Sequence, residues 1–382
     1  MLPGAIGGVS FFSRMGDMSQ FLFVTCQVGA EQAVKGELAR RWPDFRLAFS
    51  RPGFLTFKLP VDHGLALDFD LESVFARSYG FSLGKLEIHG QQELLAGIWS
   101  LAAGHTVQRI HVWERDARMP GEHDFEPGVT KAAAHLHQAV YEACPNRDAL
   151  AKTAGDWAQP ARSGETVLDC VVVDPTVCWV GLHRAKSLPS RYPGGMMSLE
   201  LPADAVSRAW LKMEEGLRWS QLPIPRGARV AEIGSAPGGA SQALLARGYS
   251  VTGVDPAEMA EAVVAHPRFT HIRRRSTQVR RREFRKIRWL TADMNVAPQY
   301  TLDSVEAIVT HPEVSIRGLL LTLKLPQWEL AERVPEYLSR IRSWGYNLVR
   351  ARQLQYDRRE ICVAALQRPF VRKPFVGRDA SY

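Results

Sequence analysis

Four ionisable residues sit where an enzyme could use them together. Lys212 lies in LKMEEG, Asp293 in WLTADMN, Lys324 in LLLTLKLP and Glu360 in DRREICV. Two amines and two carboxylates, if they converge, can take a proton from a hydroxyl. A lysine does this when nearby cations lower its pKa, while acids beside it hold and orient it. Lys324 stands out because it ends the apolar run GLLLTL, and a charge at the end of a buried strand marks a site more often than a core. Taken alone, Lys212 reads as a surface lysine following Trp210 on an amphipathic helix. Glu360 reads as an ion-pair partner for Arg358 or Arg359.

A second constellation is the turn Gly234, Ser235, Ala236, Pro237, Gly238, Gly239, which follows ARVAEIG and opens a helix. It is not a phosphate-cradling loop, because no Lys follows the last glycine. The dinucleotide fingerprint is also missing, since Ala236 stands where its second glycine belongs. Gly238 and Gly239 lack Cβ atoms where a ligand would lie flat on the backbone, and Pro237 suits a first helical turn. One strand later, Asp255 ends VTGVD, a position suited to holding ribose hydroxyls. Turn and acid together fit a nucleoside without a pyrophosphate, and S-adenosyl-L-methionine is the natural candidate cofactor.

These residues need strands to carry them. From Arg229 onward strands and helices alternate: ARVAEIG, GGASQALLARG, YSVTGVD, AEMAEAVVAH, RFTHI, WLTAD, YTLDSVEAIVTH and GLLLTLKL. A helix near 328–344 and the strands YNLVRARQLQ and EICVAAL close the section. Such alternation predicts an α/β fold with a mostly parallel sheet covered on both faces, closed by an antiparallel hairpin at one edge. In that arrangement the C-terminal strand ends meet along one crevice, so Asp255, Asp293 and Lys324 share it. Glu360, at the start of an antiparallel last strand, joins the same edge. The helix ADAVSRAWLKMEEGLRW precedes the sheet and carries Lys212.

The N-terminal half has another texture. FLFVTC and FLTFKLP read as strands, and Ala30, Val34, Leu38 and Trp42 recur at helical spacing between them. IHVWERD reads as a strand, KAAAHLHQAVYEAC as a helix, and TVLDCVVVDPTVCWVGLHRA as a hairpin turning at DPT. The predicted organisation is a flexible leader over 1–17, an α+β domain over 18–88, a second module over 89–190, the α/β domain over 200–368 and a basic tail over 369–382. Met1, Met15 and Met18 are the candidate starts.

The 382 residues are 46% hydrophobic and 23% charged, as expected of a folded, water-soluble chain. No apolar run is long enough to span a membrane, and the N-terminus lacks the basic region and apolar core of a secretory signal. Five scattered cysteines without a C-x-x-C pair point to a reducing cytoplasm and away from a zinc site. His135 and His137 point to different helix faces, so no metal is expected. The net charge of +8 is local: residues 271–288 hold nine bases and one acid. Arg273, Arg274, Arg275, Arg280, Arg281 and Arg282 are therefore candidate contacts to a phosphate backbone, with a solvated loop as the alternative.

LKMEEG, GSAPGG, ADM, LKLP and DRREI resemble the motifs of FtsJ-type RNA ribose 2′-O-methyltransferases, above all the RlmM-like branch acting on a cytidine of large-subunit ribosomal RNA. The resemblance implies a Rossmann-like methyltransferase domain in which Lys212, Asp293, Lys324 and Glu360 form a catalytic tetrad. It also implies a ferredoxin-like domain over 18–88 and a THUMP-like RNA-binding module over 89–190. Three departures accompany it. Arg274, Arg275 and Ser276 stand where relatives carry an acid toward the adenine, Ala209 replaces a serine after Ser207 and Arg208, and Ala236 and Ala240 replace larger residues. The implied partner is RNA, with neither membrane nor DNA, since DNA lacks the 2′-hydroxyl. A catalytically silent RNA-binding or ribosome-assembly factor on the same scaffold, or the same chemistry on another structured RNA, stays open at this level. The target nucleotide and the oligomeric state are not legible.

Overall fold

The computed structural model describes residues 20–367. The expected leader over 1–17 and tail over 369–382 lie outside these residues. The chain divides into two compact units, 1–198 and 199–382. No helix among the described residues is long and apolar enough to cross a membrane.

The first unit is built on one seven-stranded sheet. Its elements are β1 (Phe21–Cys26), α1 (Glu31–Arg41), β2 (Arg46–Arg51), β3 (Phe54–Lys58), β4 (Ala76–Glu87), α2 (Gln91–Leu101), β5 (Arg109–Glu114), α3 (Lys131–Glu142), β6 (Thr166–Asp174) and β7 (Val177–Arg184). The strand order is β2-β3-β1-β4-β7-β6-β5. β4 has no clear alternation and carries Gly80 and Gly84, so its sequence did not announce a strand. It nevertheless pairs with β1 on one side and β7 on the other, and thereby gathers strands of both 18–88 and 89–190 into one sheet. Gly80 permits this: a Cβ there would lie 2.8 Å from the Leu182 carbonyl oxygen. One sheet face packs on α2 and α3 through Leu94, Ile98, Ala133 and Val140.

A polar cluster lies buried within this unit. Asp169 and His183 are hydrogen-bonded at 2.6 Å, and the other ring nitrogen of His183 lies 2.7 Å from the Ser190 carbonyl. His111 Nδ1 lies 3.8 Å from Asp169. His111, Asp169 and His183 are near enough for metal ligation, but both nitrogens of His183 already have protein partners. His137 is buried on α3 while His135 is exposed, as their helical spacing requires.

The second unit contains α4 (Ala209–Ser220), β8 (Arg229–Ile233), α5 (Gly239–Ala246), β9 (Ser250–Val254), α6 (Glu261–Val264), β10 (Phe269–Ile272), β11 (Trp289–Asp293), α7 (Pro298–Val309), β12 (Gly318–Lys324), α8 (Val334–Ser343), β13 (Leu348–Arg352) and β14 (Glu360–Leu366). Its sheet runs β10-β9-β8-β11-β12-β14-β13. The first five strands in this order are mutually parallel, and β14 is antiparallel to both β12 and β13. This is a Rossmann-like α/β architecture with an antiparallel last strand. The apolar strands follow from coverage on both faces: Leu319, Leu320, Leu321 and Leu323 of β12 are all buried, each contributing about 1.5–3 kcal/mol of transfer free energy. Two predicted helices are shorter than their apolar patterns. The segment at 257–266 is helical only over Glu261–Val264, and the one near 328–344 divides into a 3-10 turn, Trp328–Arg333, and α8. Pro335 at the first turn of α8 has no N–H to continue the preceding ladder.

Burial holds His111 well below its ordinary pKa, helped by the charges of His183 and Arg109, and burial likewise lowers His137. For His183, burial works downward, but Asp169 and the Ser190 carbonyl bring it above its ordinary value. The unfolded chain therefore protonates His111 and His137 at a higher pH, about 6.5, than the folded unit does, while the stabilisation from His183 is lost as pH rises above that value. Hydrogen-exchange protection of β5 and β6 should fall as pH drops from about 6.5 to 5, and His111→Asn should shrink that slope by about 1.4 kcal/mol per pH unit.

Candidate active site

The antiparallel pairing of β12 with β14 sets Lys324 directly opposite Glu360. β11 lies on the other side of β12, with Asp293 beside Thr322. Lys324 Nζ lies 2.7 Å from Asp293 Oδ1 and also pairs with Glu360 Oε2. The second oxygen of Glu360 pairs with Lys212 Nζ. The four residues therefore form one chain of alternating charge: Lys212, Glu360, Lys324, Asp293.

Lys212 arrives from α4 because that helix can lie close to the sheet. Gly216, one turn further along, faces β12 and β14. A Cβ there would lie 3.2 Å from Leu320 Cδ2 and 3.4 Å from Cys362 Sγ. Leu320 would have to give by a few tenths of an ångström to admit even a methyl group there, so the helix packs closely on the sheet.

The chain of charges borders a cavity of about 190 Å³ lined by Ala209, Glu232, Gly234, Ser235, Ala236, Pro237, Gly239, Ala240, Asp293, Asn295 and Lys324. Lys212 and Glu360 sit behind Lys324 and do not line it. Gly234 has φ +79°, and a Cβ on it would lie 2.6 Å from the Asp293 carbonyl oxygen, so the turn leaves β8 pressed against the end of β11. The reason for the next two glycines differs from the sequence expectation. At Gly238 (φ +121°) a Cβ would lie 2.7 Å from Val263 Cγ2, and at Gly239 it would collide with Ser207. Both make room for protein atoms. α5 begins at Gly239, which leaves Pro237 ahead of the helix rather than in its first turn.

Asp255, just past the end of β9, supports the turn from below. Its carboxylate accepts from Ala236 N at 3.2 Å and from Ala257 N at 2.8 Å. A carboxylate has about four acceptor positions, so capacity remains for a ligand hydroxyl. Glu232 is a further site residue that the sequence did not single out, although it is the next-to-last residue of β8, just before the turn. It is buried, accepts from the Ser241 hydroxyl and faces the cavity. Burial pushes its carboxyl up to about 8, and the charges of Asp293 and Asp255 add to the effect. A positively charged ligand would relieve this crowding of acids, whereas a phosphate would aggravate it. The acids of the wall thus suit a cationic ligand better than an anionic one.

The ionisation of the tetrad is set by its neighbours. For Lys324, burial works toward the neutral amine, but Asp293 and Glu360 outweigh it and hold the ammonium well above its ordinary pKa. For Glu360, burial works upward, and Lys212 and Lys324 bring it below the usual carboxylate range.

The arginine-rich segment is only partly free. Arg273 pairs with Glu258 at 3.1 Å, Arg282 with Glu283 at 3.4 Å, and Arg285 with Glu313. Arg281 bonds the carbonyls of Ser276 and Val279 and so shapes its own loop. Arg274, Arg275 and Arg280 are exposed and make no ion pair among the described residues. Arg273, Arg274, Arg280 and Arg282 line an open pocket of about 560 Å³ beyond the end of β10.

Residues 205–339 match the FtsJ-like methyltransferase family model. This segment is thus similar to the FtsJ-like methyltransferases. The chain is also 31% identical over 227 residues to the ribosomal RNA large subunit methyltransferase M of Halorhodospira halophila, a match covering 58% of this chain and 62% of that protein. The protein of the same name from Alkalilimnicola ehrlichii is 33% identical over 183 residues, covering 46% and 49%. That from Hahella chejuensis is 28% identical over 308 residues, covering 75% and 78%. The chain thus spans less than two thirds of the length of the first of these methyltransferases, with longer and weaker similarity to the last.

Glu360 is the shared anion of two amines, so Glu360→Gln should destabilise the second unit by about 3 kcal/mol at neutral pH. Its depressed pKa means that this contribution is present above a pH of about 4.3 and lost as pH falls through the lower folded value. Urea denaturation should therefore separate variant from parent at neutral pH and bring them together as pH falls below the usual carboxylate range.

Proposed function

We propose that this chain methylates a ribose 2′-oxygen of RNA using S-adenosyl-L-methionine, with a cytidine of large-subunit ribosomal RNA as the target. The observation that carries the reading is the Lys212–Glu360–Lys324–Asp293 chain, whose last two members border the cavity under the glycine turn. The FtsJ-like segment and the ribosomal RNA methyltransferase relatives support the reaction class and the type of RNA. The ribose position and the base rest on the resemblance of the motifs.

Gly234, Ser235, Ala236, Pro237, Gly238 and Gly239 shape the floor on which the nucleoside would lie, and Asp255 would take its ribose hydroxyls. Asp293 and Glu232 would face its positive end. The bound cofactor supplies a methyl group on a positively charged sulfur. Lys324 would take the proton of the 2′-hydroxyl as that oxygen accepts the methyl group, and pass it to solvent. Asp293 and Glu360 fix its direction but also keep it protonated at rest, so positive charge in the cavity is needed to favour the free amine. Lys212 balances Glu360, which would otherwise bind Lys324 still more firmly. Residues 89–190, similar to a THUMP module, would hold structured RNA by shape. Arg274 and Arg280 would contact phosphates.

Lys324→Ala should leave cofactor binding within about threefold by calorimetry and reduce methyl transfer by about a thousandfold or more. In the parent, kcat should rise with pH through the neutral range, as more Lys324 becomes neutral. Deleting the gene should remove one ribose methylation from the host's ribosomal RNA map, and Lys324→Ala should fail to restore it; an unchanged map would overturn the assigned target.

Arg274→Glu with Arg280→Glu should weaken RNA binding and flatten the slope of log affinity against log salt by about one unit for each phosphate no longer neutralised. Cofactor affinity should stay within about twofold, and an unchanged salt slope would return this segment to a solvated loop.

A further inference from the structure

Glu215 lies one helical turn beyond Lys212 on α4 and is buried. Its carboxylate does not join the tetrad. It accepts from two successive backbone amides of the turn between β13 and β14: Gln355 N at 2.8 Å to Oε1 and Tyr356 N at 3.2 Å to Oε2. The same turn is closed by Asp357, whose Oδ2 accepts from Leu354 N at 2.9 Å, and by Gln353 Nε2 bonding the Arg358 carbonyl at 2.7 Å. Glu360 leaves this turn as the first residue of β14. The Arg359 carbonyl, immediately before it, accepts from Leu325 N at 2.6 Å, one residue past Lys324. Glu215 therefore joins the helix that carries Lys212 to the loop that delivers Glu360.

We propose that Glu215 is a positioning residue for the methyl-transfer site, clamping the β13–β14 turn onto α4 so that the Glu360 carboxylate sits between the two amines. This rests on the reading that the tetrad performs the chemistry. Two N–H groups of adjacent residues converging on one buried carboxylate make a stiff, directional anchor, since each bond is charge-assisted and shielded from water. Asp357 is buried, and burial together with the nearby Glu360 charge pushes its carboxyl well above the ordinary range. Glu360 lies four residues beyond Tyr356, so loosening the turn would let its carboxylate shift relative to Lys212 and Lys324.

The test uses Glu215→Gln in the full chain. The amide keeps the size of the side chain but presents N–H to one of the two backbone N–H groups. Two readouts are taken: methyl transfer from S-adenosyl-L-methionine to large-subunit ribosomal RNA transcript, and the rate at which acetic anhydride modifies Lys324 at alkaline pH, followed by mass spectrometry. The expected result is a kcat lower by about 10- to 100-fold with KM for the cofactor within about threefold. Lys324 should also become several-fold more reactive, its ammonium no longer held by Glu360, while exposed Lys131 keeps its rate. A purely structural role would shift kcat and KM together, or neither, and leave Lys324 reactivity unchanged; either result overturns the proposal. Should the parent transfer no methyl group to the transcript, the functional reading fails by itself and the acylation rates still decide the role of Glu215. Should Glu215→Gln not fold, Glu215→Asp, with both acceptors on a shorter stem, must show the same pattern at smaller amplitude. A folded Glu215→Asp with parental kcat and parental Lys324 reactivity would likewise overturn it.

Discussion

The cross-strand pair of Lys324 and Glu360 holds the second unit's site together. Two oppositely directed strands bring an ammonium and a carboxylate face to face at the same sheet edge. Because the last strand is antiparallel, its first residue lands where the parallel strands end, and a carboxylate from the end of the chain joins groups that precede it by up to 148 residues (Lys212 to Glu360). A parallel last strand would have placed Glu360 at the opposite edge. The hairpin therefore completes the site as well as the sheet.

From that pair the electrostatics follow in both directions. Toward the helix, Glu360 is shared with Lys212, which prevents either amine from being a lone buried charge. Toward the cavity, Lys324 is shared with Asp293, and the wall continues through Glu232, whose carboxyl is pushed up to about 8. The alternation of signs keeps each charge compensated in a site that is mostly dry. Glu232 is the wall group whose ionisation a cationic ligand in the cavity would favour.

Close backbone approach supplies the remaining constraint. Gly216 lets α4 rest on β12 and β14, while Gly234 lets the glycine-rich turn press on β11. Gly238 and Gly239 accommodate Val263 and Ser207. Their spacing suggested a ligand-facing turn, and the turn is there, but the atoms that exclude a Cβ belong to the protein. Sequence spacing identifies a backbone that must come near something; it does not identify the something.

The second unit was legible because each of its main elements carries a period of its own: buried runs for the strands, amphipathic patterns for α4, α7 and α8, and an acid or lysine at the end of each functional strand. The alternation of these elements alone implies that Asp255, Asp293 and Lys324 face one crevice. The first unit was harder to read because β4 derives its strand character from two partners that lie 59 residues before and 101 residues after it (Leu22 opposite Phe81, and Phe81 opposite Leu182). The buried cluster of His111, Asp169 and His183 and the clamp formed by Glu215 were silent for the same reason. Local propensity and periodicity are properties of neighbouring residues, so the sequence by itself determined the α/β class, the glycine-rich turn and the residue types of the tetrad. Which carboxylate holds which amine, which arginines are already neutralised and which glycine yields to which side chain depend on distances between segments remote in the chain, and only tertiary packing decided those.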